Sequence, residues 1–185
     1  MTESKIAITG YVPGVVGRLI ELHGTYYATY WGLGLYFEAR VAAELAAFMQ
    51  RFNPQTDGLW VATANGQVIG GIVIDGNDAA GKGARLRWFI IDPAYQGQGV
   101  GNRLVSEAVE FCKRQKFKRV YLTTFAGLNS ARHLYEKQGF RLHHEEDATE
   151  LTGKSSLVEQ VFELVLDQDD DKAFRSKNAS SVISI

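Results

Sequence analysis

The sequence predicts an α+β domain with an α/β-like, three-layer arrangement: one central mixed sheet flanked by helices. Two observations carry this prediction. Two apolar runs are joined by Asn65-Gly66, a strong hairpin signal because both positions accept a positive φ. Beyond this hairpin, strand and helix patterns alternate and end in two strands, which indicates a mixed sheet. Together the patterns predict about seven strands and about four helices.

The N-terminal part is expected to hold one short strand and two helices. The strand spans Lys5 to Thr9, where the residues partly alternate in polarity. Apolar residues at helical spacing predict a helix from Gly14 to Trp31, and we expect His23-Gly24 to interrupt or bend it. A second helix is expected from Phe37 to Phe52, where Asn53-Pro54 ends it.

The middle of the chain is rich in strand patterns. Strands are predicted from Leu59 to Ala64 and from Val68 to Ile74, on either side of the hairpin turn. A loop rich in glycine, asparagine and aspartate follows from Asp75 to Gly83. A third long strand from Ala84 to Asp92 then leads into a glycine-rich segment.

The C-terminal part alternates helix and strand before it ends in two strands. In order, the elements expected there are a helix from Val100 to Gln115, a strand from Val120 to Phe125, a helix from Asn129 to Gln138, and strands from Phe140 to Glu146 and from Ser156 to Leu166. Asn129 is predicted to cap the short helix and Gly139 to stop it. A polar loop is expected from Asp147 to Ser155.

Composition indicates one globular domain, residues 1–166, followed by a polar tail, residues 167–185. The net charge of −1 argues against a nucleic-acid partner, since phosphate binding needs surplus lysine and arginine. A helix that spans a membrane needs about 18 consecutive apolar residues, and no apolar stretch of the sequence is that long. The chain starts without an apolar signal core and has one cysteine, Cys112, so we expect a cytoplasmic protein.

The segment from Gln96 to Gly101 is predicted to bind a phosphate or diphosphate. It reads Gln-Gly-Gln-Gly-Val-Gly and lies between a strand and a helix. Free backbone N–H groups at a helix N-terminus attract anions, and glycines let a phosphate come close. The spacing departs from the dinucleotide fingerprint, and no Gly-Lys-Ser/Thr follows as in a Walker loop.

Two motifs resemble those of a known family. Gln96, Gly99 and Gly101 match the pattern Q/R-x-x-G-x-G/A, after a strand that ends in Asp92-Pro93. Residues Asn129 to Phe140 are similar to N-x-x-A-x-x-L-Y-x-x-x-G-F. Both motifs together, one helix and one strand apart, resemble the GNAT superfamily of acyl-CoA-dependent N-acetyltransferases over about residues 5–166.

The resemblance implies the GNAT fold, with a twisted, mostly antiparallel sheet, and acetyl-CoA as cofactor. It implies that the strands ending at Asp92 and Phe125 separate so that the pantetheine arm pairs with the open edge. The backbone N–H of Ile91 would stabilise the developing negative charge, and Tyr135 would protonate the leaving thiolate. The implied cofactor-binding residues are Phe89, Ile90, Ile91, Gln96, Gly97, Gln98, Gly99, Val100, Gly101, Asn102, Asn129, Arg132 and Tyr135.

The base that deprotonates the acceptor amine stays open at this point. No carboxylate in the strand from Ala84 to Asp92 is an obvious base, which leaves Glu38, His23 or a chain of waters. The first helices wall the acceptor pocket in this family, and an aromatic wall suits an apolar or cationic acceptor. The expected substrate-binding residues are Tyr27, Tyr30, Trp31 and Arg87.

The sequence therefore predicts an N-acetyltransferase that acts on the amine of a small molecule or amino acid, by direct attack in a ternary complex. The alternative is a non-catalytic acyl-CoA-binding regulatory module, and a homodimer is left open. No metal site is predicted, because adjacent residues of His143 to Glu146 alternate between the faces of a strand.

A narrower likeness concerns the N-terminal part. It resembles the acetyltransferase half of bacterial fusions with a MarR-type winged-helix regulator. The residues that carry this likeness are Pro13-Gly14, Gly17, His23-Gly24, Tyr27, Gly32, Phe37-Glu38 and Val41-Ala42.

Overall fold

The computed structural model describes residues 5–154 and 157–166, so the predicted tail lies outside the described residues. The strands are Ala7–Thr9 (β1), Gly58–Ala64 (β2), Gln67–Asp75 (β3), Ala84–Ile91 (β4), Arg119–Phe125 (β5), Arg141–Asp147 (β6) and Val158–Val165 (β7). The helices are Val15–Trp31 (α1), Leu35–Gln50 (α2), Val100–Arg114 (α3), Asn129–Lys137 (α4) and Thr149–Thr152 (α5). A 3₁₀ turn, Pro93–Tyr95, follows β4.

The described strands form one seven-stranded sheet in the order β1-β2-β3-β4-β5-β7-β6. β4 and β5 pair in parallel, and the other neighbouring strands pair antiparallel. This mixed, mostly antiparallel sheet with helices against it confirms the predicted fold class.

The hairpin between β2 and β3 follows from its turn residues. Asn65 has a φ of 51° and Gly66 a φ of 78°, so both central positions are left-handed as an Asn-Gly turn requires. The turn sets the register that pairs Ala64 with Gln67, and the predicted hairpin is confirmed.

Alternating side chains of the sheet give the molecule a core on each face. In β3, Ile72 and Ile74 pack in the cluster that contains α3, whereas Val73 packs in the cluster that contains α1 and α2. Leu104 of α3 and Leu45 of α2 are fully buried in these two cores. The sheet is therefore covered on both faces around β3 and β4, which places α1 and α2 opposite α3.

Helix α1 runs without interruption, so the break expected at His23-Gly24 is wrong. Nδ1 of His23 lies 2.8 Å from the carbonyl oxygen of Leu19, one helical turn earlier. Gly24 serves a close approach of two helices instead, because a Cβ there would lie 2.8 Å from Cδ of Glu38 on α2. Helix α2 begins and ends two residues earlier than the sequence predicts.

The short helix α4 begins differently from the prediction. Leu128 occupies the N-cap without a side-chain hydrogen bond, so the expected cap at Asn129, the first residue of α4, is wrong. Gly139, with a φ of 94°, follows the end of α4 as predicted. The segment predicted as a polar loop after β6 contains α5. Ser156, the first residue of the last predicted strand, lies outside the described residues, and β7 begins at Val158.

Candidate active site

β4 and β5 separate soon after they pair. Their parallel register joins Ala84 to Val120 and ends where Leu86 faces Leu122, although both strands continue beyond that point. A V-shaped gap therefore opens between two central strands of the sheet, as the family resemblance implies.

A β-bulge in β4 accompanies this separation. Val73 of β3 pairs with Arg87, but Gly71 pairs with Ile90, so β4 holds one extra residue in this stretch. Trp88 lies there with a φ of 46°, a conformation that residues with a Cβ rarely adopt. A bulge bends its strand and increases its twist, which explains why β4 leaves β5 here.

The main chain of Ile91 points into the gap. The amide of Asp92 donates to the carbonyl of Ile69 at 2.8 Å, so residue 92 hydrogen-bonds towards β3. Successive residues of a strand direct their N–H and C=O groups to opposite sides, and those of Ile91 therefore face β5. The Ile91 carbonyl accepts a hydrogen bond from Nε2 of Gln96 at 3.1 Å, which ties the next loop to the end of β4.

The glycine loop, Gln96 to Gly101, connects this edge to α3. Gly97 and Gly99 have φ values of 76° and 79°, and nothing lies within 4 Å of a Cβ placed on either. Gly99 is the N-cap of α3, so the free N–H groups of the first helical turn lie beside the loop. The loop thus has the left-handed backbone and the helix N-terminus that bind an anion.

Gly101 has a packing role. A Cβ at this position would lie 2.9 Å from Cδ1 of Leu134 and 3.2 Å from Cζ of Phe89, so α3 packs closely against α4 and β4. The next residue, Asn102, has a buried Oδ1 without a hydrogen-bond partner among the described residues.

A cavity of about 590 Å³ follows the gap, within the range of ligand sites. It joins the glycine loop and the start of α4 to residues of α1 and α2 on the other face of the sheet. The residues that line it include His23, Tyr26, Tyr27, Phe37, Glu44, Arg85, Arg87, Phe89, Ile90, Ile91, Gln96, Gly97, Gly99, Gly101, Asn102, Thr123, Phe125, Asn129, Tyr135 and Glu159. The cavity therefore extends from the gap to the helices on the other face of the sheet.

Tyr135 of α4 lines the cavity from within an aromatic cluster. Its ring centroid lies 6.0 Å from that of Phe89, 6.1 Å from that of Phe140 and 6.4 Å from that of Phe162. Burial, and next the neighbouring Tyr27, raise the pKa of Tyr135. The phenol therefore keeps its proton at neutral pH and is available as a donor.

The opposite wall of the cavity is aromatic. Tyr27 packs edge-on against Phe125 at 5.7 Å and lies 4.8 Å from Phe37, and burial raises its pKa. His23 stacks on Tyr27 at 6.2 Å. Burial lowers the pKa of His23 to about 4, against the weaker opposing effect of its bond to Leu19. His23 is therefore neutral at pH 7.

Two arginines of β4 bring charge into the cavity. Arg87 forms an ion pair with Glu44 of α2, and its guanidinium lies 4.0 Å from the ring centroid of Trp88. Burial, and next the charge of Arg85, lower the pKa of Arg87. Glu44 also pairs with Arg40 at 2.8 Å. The site thus contains a charged cluster that the sequence does not predict, since Arg40 and Glu44 have the spacing of an ordinary surface pair.

Comparison with known proteins agrees with this geometry. The model of the Acetyltransferase (GNAT) family matches residues 19–140, which is more than half of the chain. The chain belongs to the GNAT family. The match covers most of α1 and all of the glycine loop and α4.

Individual GNAT relatives differ in substrate. N-acetylaspartate synthetase of Danio rerio is 31% identical over 121 residues, 65% of this chain and 42% of that protein. The spermine/spermidine N(1)-acetyltransferase of Bacillus subtilis is 31% identical over 74 residues, 40% of this chain and 47% of that protein. The chain thus spans about half or less of the length of these two curated relatives.

A solved GNAT structure shares the fold. The acetyltransferase yncA of Salmonella typhimurium, described with its cofactor acetyl-CoA, superposes with a TM-score of 0.68 at 16% identity. The superposition covers 88% of this chain and 95% of that one.

Most of the residues that the GNAT resemblance singles out line the cavity. Those brought together are His23, Tyr27, Arg87, Phe89, Ile90, Ile91, Gln96, Gly97, Gly99, Gly101, Asn102, Asn129 and Tyr135. The signal for the cofactor end is local, because the glycine loop and α4 each carry a compact motif.

The other expected residues lie outside the lining of the GNAT cavity. Gln98 is exposed and donates to the carbonyl of Ala94 at 3.3 Å, whereas Val100 is buried in the core of α3. Arg132 pairs with Glu136 at 2.8 Å.

On the acceptor side, Tyr30 is 62% exposed and packs against Tyr26. Trp31 covers Gly127 and contacts Phe125. Glu38 is exposed, with its side chain against Gly24.

Two absences hold for the part of the chain that the structure describes. Residues 5–154 and 157–166 contain no group of three or more histidine, cysteine or acidic side chains that could hold a metal ion. No helix among the same residues is both long and apolar enough to cross a membrane.

Proposed function

We propose that this GNAT protein transfers the acetyl group of acetyl-CoA to the primary amine of a small molecule or an amino acid. The observation that carries the proposal is the cavity along the gap, with the glycine loop at one end and the aromatic wall at the other. Two molecules that meet at the gap can react directly, because binding both makes the attack effectively intramolecular. The family match and the two relatives named for amine acetylation support this reaction.

The residues along the gap fit acetyl-CoA. Its diphosphate would bind the N–H groups of the glycine loop and the first turn of α3. Its pantetheine arm would lie along the open edge of β4, and Asn102 and Asn129 line the same cavity. When bound, acetyl-CoA supplies an acetyl group activated as a thioester.

Two groups of this chain would assist the transfer. The N–H of Ile91 would donate to the acetyl oxygen as negative charge develops there, an effect worth about 3 kcal/mol for one such donor in other enzymes. Tyr135 would donate its proton to the departing sulfur, since its phenol is protonated and lines the cavity.

The acceptor amine would lose its proton to water. Glu38 lies outside the cavity lining, and His23 has a pKa of about 4, which makes it a weak base at neutral pH. Of the three routes that the sequence leaves open, we therefore propose the water chain. The rate should then rise with pH as more of the acceptor becomes neutral.

Direct transfer is favoured over an acetyl-enzyme. Cys112 is fully buried on α3 and is not among the residues that line the cavity. Burial raises the pKa of Cys112 to about 12, so its thiol stays protonated and unreactive.

The test combines binding and turnover. Acetyl-CoA is titrated into the protein by calorimetry, with NAD and ATP as controls, and thiol release is then followed with amino acids and spermidine. Saturable binding of acetyl-CoA alone and acceptor-dependent thiol release are expected. Binding without turnover on any amine would favour the non-catalytic acyl-CoA-binding module, and no binding would exclude both functions.

Four further expectations from the sequence stay predictions. They are the likeness to the acetyltransferase half of MarR fusions, a homodimer, a cytoplasmic location, and the division into a domain of residues 1–166 and a tail of residues 167–185.

A further inference from the structure

The charges in the cavity narrow the choice of acceptor. We propose that the acceptor carries a carboxylate near its amine, as an amino acid does, and that Arg85 binds this carboxylate. This inference rests on the proposed function, because it names the substrate class of the same site.

Arg85 and Arg87 lie two residues apart on β4, so both face the side of the sheet that α2 covers. Arg87 is fully engaged. It pairs with Glu44, lies 3.8 Å from Asp75 and stacks on Trp88. A ligand that approached Arg87 would have to replace these contacts.

Arg85 has few partners by contrast. Its Nη2 makes one long hydrogen bond, 3.4 Å, to the hydroxyl of Thr123, and its guanidinium lies 5.8 Å from the ring centroid of Tyr121. Its Nε is buried and has no hydrogen-bond partner among the described residues. A buried donor without a partner is unfavourable, so a ligand that accepts a hydrogen bond from it gains affinity.

The edge of the Arg85 guanidinium that carries Nε and Nη2 suits a planar anion, which would compete with the long bond from Nη2 to Thr123. Nε and Nη2 lie on one edge of the guanidinium, and a carboxylate can accept from both at once through its two oxygens. Arg85 and Thr123 line the same cavity as Tyr27 and Ile91.

The acidic groups near Arg85 are mostly neutralised. Glu44 is shared by Arg87 and Arg40. Asp75 pairs with Arg51 at 2.5 Å and lies near Arg87. The cation of Arg85 is therefore not cancelled by either acid, and an anionic group is attracted to this part of the cavity.

Glu159 is the remaining acid among the lining residues named above. It faces Phe125 in the β5–β7 register, two residues beyond Thr123 and so about 7 Å along the strand. An acid and a cation at separate positions match a molecule with both an amine and a carboxylate. A polyamine would bring a second cation to Arg85, so the aromatic wall alone does not decide the acceptor.

The experiment compares matched acceptors. Thiol release is measured with each standard amino acid, with its C-terminal amide and with spermidine, for the wild type, Arg85→Gln and Arg85→Lys. Arg119→Gln is the control, because Arg119 is a partly exposed arginine of β5 that does not line the cavity. Calorimetry with acetyl-CoA, and with the amino acids in the presence of coenzyme A, accompanies every variant.

The wild type is expected to prefer an amino acid over its amide by about tenfold in kcat/KM. Arg85→Gln should remove this preference by raising KM for the acid about tenfold, with the amide little changed. Arg85→Lys should restore only part of it, because lysine lacks the two-donor edge.

Three results would overturn the inference if acetyl-CoA still binds. The wild type could prefer spermidine or the amides, or Arg85→Gln could lower kcat/KM equally for an amino acid and its amide. If no acceptor turns over, the inference fails when calorimetry shows no amino acid binding that depends on Arg85. Loss of acetyl-CoA binding in the wild type would instead count against the proposed function.

Discussion

Tyr135 illustrates how a buried phenol can serve as a proton donor. It is 5% exposed and has aromatic rings on several sides, yet it lines the cavity at the gap. Burial raises the pKa of Tyr135, so the phenol holds its proton at neutral pH, and the proton that it gives to the sulfur would be replaced from water before the next turnover.

We predict that Tyr135→Phe lowers kcat by about tenfold or more, since proton donation of this kind contributes about 10²–10⁴-fold in other enzymes. Acetyl-CoA affinity should change little, because phenylalanine keeps the ring contacts. Steady-state kinetics and calorimetry measure the two effects. Tyr11→Phe, at a 66% exposed position, is the control. Equal kcat values for Tyr135→Phe and the wild type would remove Tyr135 from the mechanism.

His23 should couple the stability of the protein to acid pH. Its pKa is about 4 in the folded protein and near the ordinary 6.5 when unfolded, so protons bind more readily to the unfolded chain. The contribution of neutral His23 to stability is complete above pH 6.5 and is lost as the pH falls towards 4, up to about 3 kcal/mol.

A variant without this titration isolates the effect. His23→Gln keeps an N–H donor for Leu19, so its free energy of unfolding should fall less than that of the wild type between pH 7 and about 4. Urea denaturation at several pH values measures this difference, and His133→Gln, at an exposed position, serves as the control. Parallel pH profiles for His23→Gln and the wild type would contradict the prediction.

The β2–β3 hairpin and the glycine loop each contain a glycine with a left-handed backbone, but the two glycines have different roles. Gly66 in the hairpin turn and Gly99 at the start of α3 have nearly equal φ values, 78° and 79°, and each has open space where a Cβ would be. Gly99 lines the cavity, whereas Gly66 is not among the lining residues. Alanine substitutions at Gly66 and Gly99 should therefore introduce the same backbone strain, but only the substitution at Gly99 can disturb a bound ligand.

We predict that Gly99→Ala and Gly66→Ala each cost about 1–2 kcal/mol of stability, because alanine is strained at this φ. Only Gly99→Ala should weaken acetyl-CoA binding, by about tenfold, since its methyl group enters the space beside the anion site. Chemical denaturation and calorimetry give the two quantities. Equal acetyl-CoA affinities in both variants would show that the loop does not bind the cofactor.

The elements differ in how far the sequence reveals them. The hairpin turn is predictable because Asn65 and Gly66 alone satisfy its two left-handed positions. The bulge is not, because it places a bulky residue, Trp88, at a φ that favours glycine. Beyond the bulge, the side chains of β4 again alternate between the two faces of the sheet, but shifted by one residue. No local sequence pattern indicates this shift.

The candidate site also has one part that the sequence reveals and one part that it does not. Its cofactor end is carried by short motifs, so Gln96 and Tyr135, which both line the cavity, are found through their resemblance to the GNAT motifs. Its acceptor end is assembled from distant segments, and the ion pair between Glu44 and Arg87 spans 43 residues of sequence. Gly24 shows the same limit, since only the packing of α2 explains why a glycine lies inside a continuous helix.

The sheet of the molecule consists of two halves, β1 to β4 and β5 to β7, which join along a short seam between β4 and β5. Among the described residues, β4 and β5 pair at three positions, whereas β5 and β7 pair at seven. Helix α3 adds a second link, because its core includes Ile72 of one half and Val120 of the other. A ligand in the gap would contact both halves, so binding and stability should be coupled.

We predict that acetyl-CoA at about 100 times its Kd stabilises the folded protein by about 2.7 kcal/mol. For a protein of this size, that raises Tm by about 5 to 10 °C. Differential scanning fluorimetry measures the shift, and Gly99→Ala at the same ligand concentration should show a smaller one. An unchanged Tm at saturating acetyl-CoA would contradict the prediction.

Hydrogen exchange locates the stabilisation. The amide of Ile91 faces the gap and should exchange more slowly once the acetyl oxygen of the bound thioester accepts its hydrogen bond. Amides of the β2–β3 hairpin lie in one half of the sheet and should gain less protection than the seam between β4 and β5. No added protection at Ile91 in the presence of acetyl-CoA would contradict binding along the gap.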